Sequence, residues 1–141
     1  MITEHQQVAY QAARIEDLDA IGQAVQLYID AMARGDKAKL AEAFHPDARM
    51  YGALGEQRYD VPIGEFADLV AEAPADAAGT FRARITSIAQ VGDAASATVV
   101  EEGFWGTVSF VDLLSLCRIA GRWRIVSKTF AHTGGEAPAS H

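Results

Sequence analysis

The sequence predicts an α+β fold in which helices come first and a curved antiparallel sheet follows. Two observations carry this. Leu18, Ile21, Val25, Tyr28, Ile29 and Met32 recur at helical spacing and form one apolar stripe. From Thr80 onward the pattern is extended, and Gly92-Asp93 and Ala120-Gly121 separate long strand-like runs as hairpin turns do. A run of helices and then a run of hairpin strands belongs to α+β, not to alternating α/β folds.

Each element has a local reason. The first helix is expected over Asp17 to Ala33, with Gly35 after its last turn, where a left-handed residue is wanted. Asp36 can cap a second helix, Lys37 to Phe44, that turns in Leu40, Ala43 and Phe44 and stops at Pro46. Ala48 to Leu54 reads as a strand and Gly55-Glu56 as a turn. Pro62 suits the first turn of a third helix, Ile63 to Ala73, whose stripe is Ile63, Phe66, Leu69 and Val70. The later strands are expected at Thr80 to Val91, Ala94 to Trp105, Thr107 to Ile119 and Arg122 to Thr133.

With 141 residues the chain is read as one domain, with an N-terminal arm at 1–15 and a tail at 134–141. The net charge of −7 disfavours nucleic acid and anionic membranes as partners. The local cluster Arg118, Arg122 and Arg124 reads as a solvated sheet face. Cys117 is the single cysteine, so no internal disulfide is possible. The first residues have neither a basic nor an apolar signal region, and no apolar run is long enough to span a bilayer, so a cytoplasmic protein is expected.

The stretch Val25 to Met50 holds a tyrosine-bearing helix, the Gly35-Asp36 break, a short helix, His45-Pro46-Asp47 and a strand start. That order resembles the opening of the nuclear-transport-factor-2-like superfamily, cone-shaped domains that include ketosteroid isomerases and SnoaL-like polyketide cyclases. From Ile15 to His132 the chain is most similar to the putative lumazine-binding subgroup. The resemblance rests on Tyr28-Ile29-Asp30, on Ala43-Phe44-His45-Pro46-Asp47-Ala48, and on Gly121-Arg122-Trp123-Arg124-Ile125-Val126-Ser127-Lys128. It implies a sheet wrapped around about three helices, a pocket inside the cone, and dimerisation through the outer sheet face.

The resemblance also says what is missing. In ketosteroid isomerases a first-helix tyrosine and a late-strand carboxyl stabilise an enolate, and a first-strand aspartate moves the proton. Tyr28 matches the tyrosine, but the base position falls on Gly52 and the late carboxyl position on Leu113, with Asp112 one residue away. The isomerase assignment is therefore rejected.

The last hairpin decides which residues face the pocket. A two-residue turn would force Ala120 to positive φ, which alanine resists. A three-residue loop, Ile119-Ala120-Gly121, needs it only at Gly121, and this register is expected. It pairs Asp112 with Lys128 on the outer face, together with Leu114, Leu116, Val126 and Phe130, an apolar patch suited to a homodimer. It turns Ser115, Trp123, Ser127 and Thr129 inward, and a one-residue slip would exchange the two sets.

The expected ligand-binding residues are then Tyr28, Met32, Met50, Phe66, Glu101, Ser115, Trp123, Ser127 and Thr129, with Tyr51 the alternative to Met50 and Glu102 the alternative to Glu101. Arg84 is placed roughly opposite Glu101 as an ion-pair partner. Tyr28 and His45 are the catalytic candidates, although Tyr28 also reads as a core aromatic and His45 as a helix-end packing residue. No metal set is complete, because His45 and Asp47 lack a second histidine, and no cofactor is implied. Two function classes follow. One is a binding protein for a small apolar or planar molecule, without turnover, favoured by the lost carboxylate at Gly52. The other is an enzyme of the cyclase, isomerase or dehydratase type with Tyr28 as hydrogen-bond donor.

Overall fold

Three helices lie against a single six-stranded sheet in a computed structural model that describes residues 13–138. Residues 1–12 of the expected N-terminal arm and 139–141 of the expected tail lie outside those residues. Helix α1 (Ile15–Arg34) ends on Gly35 at φ 70°, and α2 (Lys37–Ala43) begins where the Asp36 carboxylate accepts from the Lys39 N–H. Strand β1 (Phe44–Leu54) starts at once, so Pro46 lies inside it, at an irregularity in its pairing between Phe44 and Arg49. This corrects the expected strand start, and the reason is tolerance of proline at a break in the ladder. Strand β2 (Gln57–Pro62) was not expected, since Gln-Arg-Tyr-Asp-Val-Pro carries little strand signal of its own. It exists as the edge strand paired with β1, and α3 (Ile63–Glu72) follows directly.

Strands β3 (Arg82–Val91), β4 (Ala94–Phe104), β5 (Val108–Ile119) and β6 (Arg122–Gly134) form an antiparallel meander. The sheet order is β2-β1-β6-β5-β4-β3, with β1 parallel to β6, so the sheet is mixed. The buried residues of α1 (Ile21, Val25, Tyr28, Ile29 and Met32) belong to the same core as Phe110, Leu114, Leu116, Trp123, Ile125 and Phe130 of the sheet. Among the described residues no helix is long and apolar enough to cross a membrane.

The register of the last hairpin differs from expectation twice. Ile119 pairs with Arg122 across a two-residue turn, with Ala120 at φ 51° and Gly121 at φ 77°. Alanine does take the left-handed conformation there, at a cost of about 1–2 kcal/mol. A bulge then inserts Val126, because Ser115 pairs with Ser127 while Leu116 pairs with Ile125. A bulge changes which parity of a strand faces in. Trp123 and Ile125 point inward before it, and Lys128 and Phe130 point inward after it. On β5 the inward residues are Phe110, Asp112, Leu114 and Leu116. Leu114, Leu116 and Phe130 therefore fill the core, and the dimer patch expected from them does not exist.

Candidate functional site

A narrow cavity of about 30 Å³ runs into the cone, walled by Met50, Phe66, Phe104, Phe110 and Phe130, with Glu101 and Lys128 as its charged residues. Aromatic edges hold the wall in place: Phe110 meets Phe104 at 5.1 Å and Phe130 at 5.6 Å between ring centroids, both nearly perpendicular. Outward the cavity shares Leu54, Tyr59, Leu69 and Trp105 with a vestibule of about 560 Å³, whose rim also holds Glu56, Gln57, Ala137 and Pro138.

Under the cavity lies a buried chain of polar groups. Lys128 Nζ donates to Tyr28 Oη at 2.6 Å, and Tyr28 Oη donates to Asp112 Oδ2 at 2.5 Å. Asp112 Oδ1 lies 3.6 Å from Lys128 Nζ, so the pair is ionic with the phenol as a bridge. The lysine head also stands 4.0 Å from the centroid of the Phe66 ring. Each member arrives from a different element: Tyr28 from the middle of α1, Asp112 from β5, Lys128 from β6 just past the bulge.

Glu101 completes the cluster from β4. It is 1 % exposed, and no N–H or O–H of another residue donates to either carboxyl oxygen among the described residues; Asp112, whose Oδ1 likewise lacks a donor, stands beside it as an acceptor for the Glu101 proton. Burial, and then the negative charge of Asp112, push its carboxyl well above the ordinary carboxylate range, while Lys128 pulls the other way. Burial and the Asp112 charge likewise raise the Tyr28 phenol well above its ordinary value. The phenol keeps its proton and spends it on Asp112. What the cavity meets is the Glu101 carboxyl and the Lys128 amine.

The structure brings Met50, Phe66 and Glu101 to the cavity wall and Tyr28 beneath it. Tyr51 and Glu102 point away, being exposed. Met32 is fully buried in the core of α1 and Trp123 packs under Arg118, whose guanidinium lies 5.2 Å from the ring; neither lines the cavity. Ser115, Ser127 and Thr129 sit on the outer face, a correction that follows from the two-residue turn and the bulge. His45 is remote from the cavity: its Nδ1 accepts from the Asp47 N–H at the start of β1, beside a separate surface groove. Arg84 pairs with Val100 and is exposed, so Ala83 and not Arg84 stands opposite Glu101. Sequence reasoning placed Asp112 and Lys128 outside. The missed signal was parity, since Asp112 alternates with Phe110, Leu114 and Leu116, three large apolar residues of its strand.

Gly52 has its own explanation. A Cβ there would lie 2.5 Å from the Phe130 carbonyl oxygen and 2.6 Å from its ring. The first-strand position that carries the base in ketosteroid isomerases is here covered by Phe130. The carboxyl groups come instead from β4 and β5.

A curved sheet closed over three helices, with a polar cluster at the inner end of an aromatic cavity, defines a nuclear-transport-factor-2-like domain. Within that class the chain belongs to the putative lumazine-binding family, whose model matches residues 16–131. It is similar to a nuclear-transport-factor-2-like protein of unknown function from Methylobacillus flagellatus, 31% identical, with a TM-score of 0.78 over 86% of this chain and 95% of that one. A protein of the same description from Silicibacter pomeroyi is 29% identical, with a TM-score of 0.77 over 86% of this chain and all of that one. Aldolase FrzH from a Cladobotryum species is 27% identical over 114 residues, which cover 81% of this chain and 90% of that protein.

Proposed function

We propose that the protein is an enzyme acting on small carbonyl compounds, moving a proton at the carbon next to the carbonyl. One observation carries this reading. Glu101 is a buried carboxyl to which no other residue donates a hydrogen bond among the described residues, it shares its surroundings with a second carboxyl, Asp112, it faces a cavity, and Lys128 lines the same cavity. A structural ion pair does not need such a group, and perturbed, unsatisfied carboxyls gather at reactive sites.

The chemistry follows from the two groups. Glu101 as carboxylate takes the α-proton, and the C–H bonding pair becomes the C=C of an enolate. The negative charge on the enolate oxygen is held by an N–H of Lys128. Where the substrate is a β,γ-unsaturated carbonyl compound the enolate is a dienolate, and return of the proton from Glu101 to its γ-carbon isomerises the substrate. Attack of the enolate carbon on a second carbonyl forms a carbon–carbon bond while that carbonyl's π pair moves to its oxygen, and the alkoxide takes the proton held by Glu101, an aldol addition, the reaction type in the name of the Cladobotryum relative. Tyr28 is a positioning residue here, fixing Lys128 and Asp112, and not the donor to the ligand. Because burial holds a proton on Glu101, the basic form grows as pH rises through its elevated pKa, and the rate rises with it.

The test is exchange of acetone protons for deuterium in heavy water, followed by NMR. The wild type should exchange them faster than buffer, and Glu101→Gln should lose about 10²–10⁴-fold, the usual worth of a positioned acid–base group. A wild type no faster than buffer, or a fully active Glu101→Gln variant, would contradict the reading. The second reading is a binding protein without turnover, favoured by the family description and by the narrowness of the cavity. It predicts ligand binding with no exchange.

The assembly proposed is a homodimer through the outer sheet face, with a second copy as the occupant. What supports it is a set of exposed apolar side chains on that face, Leu113 of β5 at 57 %, Val100 of the neighbouring β4 at 37 %, and Tyr51 of β1 at 40 %, across Thr129 of β6 from Leu113. Two copies of such a face can cover each other about a two-fold axis.

A further inference from the structure

We propose that Trp105 is a specificity-determining residue: its ring is a fixed platform at the mouth of the cavity that selects substrates with a flat aromatic body attached to a short carbonyl end. This rests on the carbonyl reading above and deepens it by naming the substrate class.

The first ground is the shape of the space. The inner cavity of about 30 Å³ takes a short end of a few atoms and no ring, whereas the vestibule of about 560 Å³ holds one easily. Trp105 lines both, so it stands where a narrow reactive end meets a wide body. A ligand that reaches Glu101 and Lys128 must pass its remaining atoms along this indole.

The second ground is how firmly Trp105 is built. It has φ 54°, a left-handed conformation that is a genuine outlier for a bulky side chain. Three contacts hold it there. Its backbone N–H donates to the Ala75 carbonyl at 3.0 Å, its indole Nε1–H donates to the Ala73 carbonyl at 2.7 Å, and its ring stands perpendicular to Phe104 at 4.7 Å. The turn on either side is closed by the Gly106 N–H bonding to the Gly103 carbonyl, and the backbone of Thr80 leaves no room for a Cβ on Gly103. Strain of this kind persists where the surroundings over-determine it, and it gathers at ligand sites. With its N–H committed to Ala73, the indole offers a ligand its π surface and no hydrogen bond. Tyr59 lines the same two spaces, so the neck has a second aromatic wall. Such a neck favours a planar ring over a puckered one, since stacking needs a flat partner.

The experiment compares two ketones of equal heavy-atom count, acetophenone and cyclohexyl methyl ketone, by ligand-detected NMR on the full chain. The wild type should bind acetophenone at least tenfold more tightly. Trp105→Ala should bring the ratio of the two dissociation constants close to one. Trp105→Phe lacks the Ala73 hydrogen bond but keeps a ring, and it should retain most of the ratio, which separates platform from scaffold. Thermal melts of all three proteins check that they fold, and the wild-type ratio stands as a test if Trp105→Ala does not. A wild-type ratio near one overturns the proposal, as does a folded Trp105→Ala protein with the ratio intact. Deuterium exchange of acetone reports on the proton-transfer reading separately. Absent exchange with the ratio present removes the reaction and leaves the platform, and exchange with a ratio of one does the reverse.

Discussion

The two faces of the β5–β6 hairpin invert the usual division between core and surface. Its inner face holds an aspartate and a lysine, 0 % and 3 % exposed. Its outer face, built from Leu113, Ser115, Ser127 and Thr129 at this level, carries no charge at all and leaves Leu113 57 % exposed. Water would favour the opposite arrangement. A buried charge pair is weak support for stability, since its desolvation offsets most of its attraction. A bare leucine on a sheet face likewise contributes nothing to a monomer. Each face therefore departs from what folding alone requires, and the two proposals answer the two departures: a ligand on the inside, a second copy on the outside.

The contrast breaks most sharply at Asp112. Asp112→Ala leaves Lys128 charged and unpaired in the core and should cost about 3–5 kcal/mol, read from denaturant unfolding. The double variant Asp112→Leu with Lys128→Met removes both charges and should return to wild-type stability or exceed it, while losing acetone exchange. Had the pair been on the surface, as the favoured sequence register had it, Asp112 variants would cost about 0–1 kcal/mol. Tyr28→Phe removes the bridging hydroxyl and should cost about 1.5–3 kcal/mol, the range for hydrogen bonds to charged groups.

That register error shows what was and was not legible. The stripe of α1, the Asp36 cap, the Gly35 stop and the Gly92-Asp93 hairpin follow from local chemistry, and each is found. The Val126 bulge is not local. Nothing in Arg-Ile-Val-Ser-Lys marks it; it forms because Phe130 and Ile125 must both reach the core, which one unbroken alternation cannot arrange. The turn was misjudged for a related reason, because the strain at Ala120 is outweighed by pairing along the whole hairpin. From those two slips Ser115, Ser127 and Thr129 were put inside and Asp112 and Lys128 outside. Glu101 was legible as one of two candidates, but its isolation from Arg84 depends on a second bulge, between Ile85 and Ser87.

Glu101→Gln sharpens the comparison through pH. The folded state holds the Glu101 proton to higher pH than the unfolded chain does. Above the ordinary carboxyl value of about 4.3 the native protein binds the extra proton, so its stability falls as pH rises toward the folded-state pKa. Glutamine has nothing to titrate. Thermal melts should show Glu101→Gln gaining on the wild type across that window, and an advantage that stays constant with pH would contradict it. The smallest effect on the fold belongs to the outer face. Leu113→Glu should alter monomer stability by no more than about 0.5 kcal/mol, yet light scattering should show dimers giving way to monomers. A wild-type monomer at micromolar concentration would remove the second copy from the account. Leu116→Glu, by contrast, puts a charge at a position 1 % exposed and should abolish folding.

The account turns on Glu101 carrying its proton while facing the cavity. The direct measurement is a ¹³C NMR titration of the Glu101 side-chain carboxyl carbon, assigned by its disappearance in Glu101→Gln. The account predicts a midpoint displaced well above the ordinary carboxylate range, moving back down when Asp112 is replaced by asparagine. A midpoint between about 4 and 5, unmoved by Asp112→Asn, would mean that Glu101 is an ordinary solvated carboxylate, neither desolvated nor coupled to Asp112, and would contradict the account of the cluster.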